Sequence, residues 1–157
     1  MDQNALFKMS YGMYVLTAKK DERDNGCIVD AAIQITQEPM QMAVCVYKSS
    51  YTHELLINSE KYNLSILSEE ANIGIYRRFG YQSGRDTDKF DGYPNARRAE
   101  NGLYYITEGT NAYISVKISE KKDLGTHTMF IGNVEAAEVL SEDPSATYDF
   151  YRRIVKA

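Results

Sequence analysis

Tryptophan is absent from the 157-residue sequence, and cysteine, histidine and proline are scarce, with two, two and three residues. Cys27 and Cys45 are too few for the disulfide framework of a small secreted domain, and no Cys-x-x-Cys pair encodes a rubredoxin-like iron site or a zinc ribbon. His53 and His127 lie far apart and complete no metal-ligand spacing. We therefore predict no metal site.

Long apolar runs are missing as well. No segment approaches the ~18 apolar residues that a membrane span requires, and the first ten residues lack the apolar core of a signal peptide. The formal net charge of −4 disfavours nucleic-acid binding, because phosphate backbones need clustered Lys and Arg. We expect a cytoplasmic protein with neither a membrane nor a nucleic-acid partner.

The amino-acid composition and the length are typical of a globular protein. Hydrophobic residues make up 43% and charged residues 25% of the sequence, and the length fits one domain over residues 1–157. Tyrosine is abundant, with 13 residues. Tyrosines suit ligand pockets and subunit interfaces, and they also simply favour strands, so both interpretations stay open.

Hydrophobic periodicity predicts a mainly β protein with a few helices. Strands are predicted at residues 13–18, 28–35, 40–47, 62–67, 103–107, 112–118 and 128–140. Asn25-Gly26 is a hairpin-turn signal, and Gly132 indicates a bulge in the last strand.

Helices are predicted at residues 4–10, 52–58, 69–79 and 146–156. Ser50 or Thr52 would cap the second helix, Ser68 the third, and Asp143-Pro144 would start the last. Helices and strands do not alternate, which disfavours a βαβ nucleotide fold and favours an antiparallel barrel with appended helices.

Familiar enzyme motifs are missing: there is no G-x-G-x-x-G after a strand, no P-loop and no G-x-S-x-G. Four segments instead suit an anionic ligand, at residues 25–36, 47–54, 79–90 and 125–134. Each also has a plainer interpretation, namely a simple hairpin, ordinary helix capping, a solvated charged loop and a structural histidine. The pattern alone does not separate these alternatives.

Taken in order, the segments NG, QIT-x-EP, YTHELL, FGYQSGRDTDKF and LGTHTMFIGNVEAAEVL resemble the flavin reductase-like family of FMN-binding split barrels. The likeness is to the clostridial type, which stands alone or precedes a rubredoxin module. It extends from Ala5 to Arg152, and SGRDTDKF and GTHTMFIG are its most specific stretches. The rubredoxin module would follow the position of Ala157, so it is either absent or lies outside this sequence.

The resemblance implies an antiparallel split β-barrel, a homodimer with FMN at the subunit interface, and NAD(P)H as reductant; FAD is the alternative flavin. It places His127 near the flavin ring edge or the nicotinamide, as the catalytic residue. The residues that it assigns to the cofactor are Cys27, Asp30, Gln34, Thr36, Lys48, Ser50, Thr52, His53, Ser83, Arg85, Asp88 and Lys89. Arg85 and Lys89 would stabilise an anionic reduced ring.

One departure from the family pattern stands out: Asp30-Ala31 occupies the place of Asn-Thr, where a phosphate is expected. A carboxylate there repels a dianion. Three functions therefore stay open: an NAD(P)H-dependent FMN reductase, an FMN electron-transfer module that partners a rubredoxin-like protein, and a cofactor-free interaction domain. Neither the electron acceptor nor the choice between NADH and NADPH follows from the sequence.

Overall fold

A computed structural model describes Met1–Ala157. The nine strands are β1 (Tyr14–Lys20), β2 (Arg23–Val29), β3 (Ala32–Gln37), β4 (Met40–Tyr47), β5 (Lys61–Leu67), β6 (Ala96–Arg98), β7 (Tyr104–Ile106), β8 (Thr110–Asp123) and β9 (His127–Val139). The helices are α1 (Tyr51–Ile57), α2 (Ile73–Gly80) and α3 (Tyr148–Phe150), with a 3₁₀-helix at Gln3–Lys8 and a π-helical turn at Tyr151–Val155. No helix has both the length and the apolar character needed to cross a bilayer.

Seven strands form one antiparallel sheet in the order β2-β1-β5-β8-β9-β4-β3, and β6 and β7 form a separate ribbon. The outermost strands, β2 and β3, are consecutive in the chain and joined only by Asp30 and Ala31. In a flat sheet these edges would lie about 29 Å apart, whereas three Cα steps span about 11 Å. The sheet must therefore curl until its edges meet, which confirms the predicted split β-barrel.

The core has two parts, one inside the curled sheet, to which α1 also contributes, and one between the sheet and α2. Leu16, Val44 and Phe130 belong to the inner cluster, while Val15 and Phe79 belong to the outer one. Successive side chains of a strand point to opposite faces, so β1 contributes to both clusters. Four consecutive residues in the middle of β1 are therefore buried. The outer cluster joins α2 to the closing segment, defined as residues 147–155.

The hairpin turn was predicted at the wrong place. The chain reverses at Asp21 and Glu22, where Asp21 has φ of 53°, a conformation that Asp tolerates better than most residues. Asn25 and Gly26 lie inside β2, paired with Ala18 and Thr17 of β1. Asn25 is buried and its side chain is bonded to Thr52, so a tertiary contact overrides the local turn signal.

Two helix starts were also predicted wrongly. Asn72, whose side chain accepts from the Gly74 and Ile75 amides, caps α2, so the helix begins four residues after the expected Glu69. Likewise Thr147 caps α3, and Asp143-Pro144 starts no helix. The cause is shared, because Ser68 and Ser145 form a β-bridge that holds both segments extended. At α1 the prediction is confirmed, with Ser50 as the cap.

The bulge expected at Gly132 lies on the facing strand. Ile118 pairs with Gly132 and Glu120 with Ile131, which leaves Ser119 of β8 as the extra residue. A Cβ on Gly132 would lie 2.3 Å from the Lys117 carbonyl oxygen. Glycine therefore allows the close approach of β8 that the bulge requires.

Candidate functional site

A cavity of about 580 Å³ opens at the seam of the barrel, within the size range of cofactor sites. It lies among β2, the start of α1, α2, the loop of residues 81–95 and the closing segment. One side, called here the polar wall, is formed by Asn25, Cys27, Asp30, Ser49, Ser50, Ser83 and Lys89. The other side, the tyrosine wall, is formed by Tyr76, Tyr81, Tyr148 and Tyr151.

Asn25 and Cys27 project from β2 toward the start of α1. The Asn25 amide donates to Thr52 Oγ1 at 2.9 Å, while Asn25 Oδ1 is buried and has no partner. Burial raises the pKa of the Cys27 thiol, against hydrogen bonds from Thr52 and Ser50 and the charge of Lys89, which lower it. Cys27 is therefore a neutral thiol of the cavity lining, and this environment does not activate it as a nucleophile.

Lys89 is the only basic residue that lines the cavity, and it is almost fully buried, with 3% of its surface exposed. Its ammonium donates to the carbonyl oxygens of Gly26 at 2.8 Å and Phe79 at 3.1 Å. Burial lowers the pKa of Lys89. The side chain thus ties the 81–95 loop to β2 and α2 and brings a positive charge to the polar wall.

Arginines fix the same loop from outside. Arg23 donates to the carbonyls of Gly84 and Thr87, and Arg85 donates to the Ser49 carbonyl at 2.9 Å and to the Glu54 carboxylate. Both guanidinium groups lie over the Tyr51 ring, at 5.7 and 5.6 Å from its centre. The loop is therefore held by tertiary bonds. Arg85 itself does not line the cavity but supports two residues that do.

The predicted cofactor residues divide into two groups. Those that line the cavity are Cys27, Asp30, Ser50, Ser83 and Lys89, and Thr52 lies directly behind them. Asp30 is half-buried at the seam between β2 and β3, and its carboxylate makes no hydrogen bond or ion pair within the chain. Asp88 instead accepts from the Phe90 amide at 3.0 Å, as a turn cap.

Four further predicted residues lie away from the cavity lining. Gln34 and Thr36 are exposed on the edge strand β3, Lys48 pairs with Asp123 at 2.6 Å, and His53 Nε2 bonds Thr128 Oγ1 at 2.7 Å. Burial lowers the pKa of His53. Their assignment to the cofactor stays a prediction, and within one chain none of them reaches the cavity.

His127 lies at the entrance of β9, outside the residues that line the cavity. Its Nδ1 is 2.8 Å from Thr126 Oγ1, and its ring packs edge-on against Tyr47, with the ring centres 5.0 Å apart. Tyr47 does line the cavity. His127 is therefore separated from the cavity by the Tyr47 side chain, and its catalytic assignment stays a prediction.

The tyrosine wall was missed by the sequence analysis. The Tyr76 and Tyr151 rings stack with centres 4.4 Å apart, and the hydroxyls of Tyr81 and Tyr151 are hydrogen-bonded to each other. The excess of tyrosine was the available signal, but the residues come from two segments about 70 positions apart, which the Ser68–Ser145 bridge and the outer core cluster bring together. Only the folded chain brings them together.

Gly84 is needed where the 81–95 loop meets the polar wall. A Cβ at this position would lie 2.3 Å from Asn25 Oδ1, and Asn25 is too buried to move freely. We expect Gly84→Ala to lower the free energy of unfolding by about 1 kcal/mol, because the loop must shift outward. Urea unfolding would measure this. Gly92→Ala is not a matched control because of its positive φ, whereas Asp86→Ala in the same loop is, since the Asp86 side chain is exposed and makes no hydrogen bond.

The comparisons with known proteins agree with this architecture. The family model described as "Flavin reductase like domain" matches residues 6–157. The chain is 38% identical over 154 residues to the high molecular weight rubredoxin of Moorella thermoacetica, covering 98% of the chain and 67% of that protein. It is 34% identical over 156 residues to the ferric-chelate reductase (NAD(P)H) of Archaeoglobus fulgidus, covering 99% and 92%.

Solved structures share the fold. The FMN-binding protein from Thermus thermophilus superposes with a TM-score of 0.75 at 23% identity, over 84% of this chain and 72% of that one. The family match spans almost the whole chain and includes every segment that builds the cavity. The chain therefore belongs to the flavin reductase-like family of flavoprotein oxidoreductases.

Proposed function

We propose that the chain binds FMN in the seam cavity and passes electrons from NAD(P)H through the flavin to an acceptor. The observation that carries the proposal is a cavity whose polar wall holds a buried polar atom without a partner in the chain, Asn25 Oδ1, together with the buried ammonium of Lys89. Buried polar groups are nearly always hydrogen-bonded, so such atoms indicate a ligand. The names of the ferric-chelate reductase and the FMN-binding protein support the choice of reductant and flavin.

The lining fits a flavin in chemical terms. Ring systems need apolar and aromatic surface, and Tyr47, Tyr51 and Phe79 supply it. A ribityl phosphate needs hydroxyl and cationic groups, and Ser49, Ser50, Ser83 and Lys89 would supply them. Only Asp30 opposes an anionic ligand. FAD, with the same ring, is the alternative cofactor.

A bound flavin would supply the hydride and single-electron chemistry, while the chain positions it and sets the local electrostatics. The buried Lys89 ammonium favours negative charge on the ligand. The uncharged Cys27 thiol adds no negative charge beside the ligand. The barrel seam and the anchored 81–95 loop shield Asn25 and Lys89 of the polar wall from water.

Titration with FMN tests the proposal. We expect quenching of flavin fluorescence that saturates near one FMN per chain, and a yellow protein after gel filtration. The same titration with FAD ranks the two cofactors. Absence of quenching by either flavin at high micromolar concentration would contradict the proposed function and favour a cofactor-free interaction domain.

We also propose a homodimer, formed through the β3–β4 edge. Three apolar side chains are exposed there, with 64%, 43% and 50% of their surface accessible: Ile33, Ile35 and Met40. β3 is an edge strand, and its free backbone groups can pair with a strand of another chain. Gln34 and Thr36 lie on the same strand, so a second copy could receive them at its cavity. This would reconcile their predicted cofactor contact with their distance from the cavity of their own chain.

Light scattering coupled to gel filtration checks the dimer. We expect about twice the 17.9 kDa chain mass, because an exposed apolar strand edge is stabilised by isologous pairing. Ile33→Lys should shift the protein toward the monomer. Exposed Val139, at the far end of the sheet, provides the control substitution Val139→Lys, which should leave the mass unchanged. A monomeric parent that binds FMN tightly would contradict a shared site.

An electron-transfer module is the second candidate function. Its support is the similarity over 98% of the chain to a protein named high molecular weight rubredoxin. In that case the FMN-loaded chain would not oxidise NAD(P)H and would instead exchange electrons with a rubredoxin-like protein. NAD(P)H oxidation by the chain alone, followed at 340 nm, would favour the reductase instead.

A further inference from the structure

The tyrosine wall differs from the polar wall in carrying no charge. Its members come from α2 and its C-cap, with Tyr76 and Tyr81, and from the closing segment, with Tyr148 and Tyr151. Stacking of Tyr76 on Tyr151 and the Tyr81–Tyr151 hydroxyl bond join the two segments into one surface. A surface of phenol rings and hydroxyls suits a flat, neutral ligand.

The hydroxyl groups of this wall differ in whether they have a hydrogen-bond partner. Tyr76 is 1% exposed, and its hydroxyl is shielded from water without any partner. Burial raises its pKa to about 12, so it retains its proton and is a hydrogen-bond donor. Tyr151 is 7% exposed, and its hydroxyl is engaged by Tyr81, the most exposed member of the wall, at 55%. One donor is thus unused, and a second is occupied by a side chain that faces solvent.

We propose that the tyrosine wall binds the electron acceptor when this is a flat, neutral ring with a carbonyl group, such as a quinone. The carbonyl oxygen accepts a hydrogen bond from the Tyr76 hydroxyl and takes the place of the Tyr81 hydroxyl on Tyr151. Tyr81 swings toward solvent to admit the ring. This assignment rests on the proposed function, since it places the acceptor in the same cavity as the flavin.

Charge excludes other acceptor classes from this wall. An anionic ligand on this wall would have to lie among neutral phenols, because the cavity's single lining cation, Lys89, belongs to the polar wall. A metal chelate would find no carboxylate on the wall. A ring without a carbonyl would leave the Tyr76 hydroxyl unpaired, as it is in the free chain, and would gain no hydrogen bond from it.

Binding of duroquinone to the oxidised, FMN-loaded protein tests the inference without turnover. Calorimetry and the shift of the flavin absorption band measure the affinity, and durene, the same ring without carbonyls, is the comparison ligand. We expect Tyr76→Phe to weaken duroquinone binding by about tenfold and to leave durene and FMN binding unchanged. Tyr81→Phe should instead tighten duroquinone binding, because it frees the Tyr151 hydroxyl.

Tyr93→Phe is the matched control, since Tyr93 also has a buried, unpartnered hydroxyl but does not line the cavity. It should change no affinity. Equal binding of duroquinone by the parent and Tyr76→Phe, weaker binding by Tyr81→Phe, or no preference over durene would overturn the inference. A change in FMN affinity in Tyr76→Phe would assign that hydroxyl to the flavin and equally overturn it. The failure of FMN itself to bind is a separate result, which refutes the proposed function.

Discussion

Lys89→Met should be the most damaging single substitution at the cavity. It removes the donor of the Gly26 and Phe79 carbonyls, which then stay buried without partners. Hydrogen bonds from charged groups and the desolvation of orphaned carbonyls together predict a loss of about 2–3 kcal/mol in the free energy of unfolding at pH 7. Urea denaturation of parent and variant measures this loss. Met fills a similar volume, so the loss reports on the bonds and not on a cavity.

FMN affinity should fall in the same variant, and the reduction potential of the bound flavin should become more negative, because the cavity loses its only lining cation. Lys122→Met is the control, since Lys122 is exposed on β8 and makes no side-chain hydrogen bond. Unchanged stability, affinity and potential in Lys89→Met would show that the buried bonds are dispensable.

The pH dependence of stability offers a second readout of Lys89. Its pKa is lowered by burial, so the unfolded chain binds more protons than the folded chain between the lowered value and 10.5. Stability from this group therefore rises with pH across that window. We expect the difference in unfolding free energy between parent and Lys89→Met to grow as the pH rises above 7. The difference between parent and Lys122→Met should not change with pH.

Local patterns were sufficient wherever local forces decide the structure. The strand at residues 40–47 and the Ser50 cap of α1 depend on neighbours a few residues away, and both predictions are confirmed. The ordered motifs also identified the family, because they preserve the sequence of cavity-forming segments. They thereby implied the split barrel, whereas the cause of the curl, a two-residue link between strands at opposite edges of the sheet, appears only in the strand pairing.

Predictions failed or stayed incomplete where contacts between residues far apart in the sequence determine the structure. Asn25-Gly26 has the composition of a turn, but the bond from Asn25 to Thr52 holds it within a buried strand. Lys89 sits among Gly, Arg and Asp, a composition typical of a solvated loop, but its carbonyl partners are 10 and 63 positions away. The tyrosine wall combines residues from two such distant segments. No single-segment pattern contains these pairings.

Asp30→Asn should tighten FMN binding about fivefold. Asp30 is half-buried at the barrel seam, lines the cavity and has no basic partner within the chain. Repulsion between a carboxylate and a phosphate dianion at ~5 Å amounts to about 1 kcal/mol at a partly hydrated site, which corresponds to the stated factor in affinity. Asparagine keeps the shape and removes the charge. Isothermal titration with FMN measures the change, which should be larger at low salt, where screening is weaker.

Riboflavin separates this repulsion from other effects of Asp30. It has the same ring and ribityl chain but no phosphate, so its affinity should hardly differ between the parent and Asp30→Asn. Asp91→Asn is the matched control, because it removes the same charge from an exposed position outside the cavity lining. Its FMN affinity should equal that of the parent. Weaker FMN binding by Asp30→Asn would instead identify Asp30 as an acceptor for a ligand hydroxyl, and the phosphate would then lie elsewhere along the polar wall.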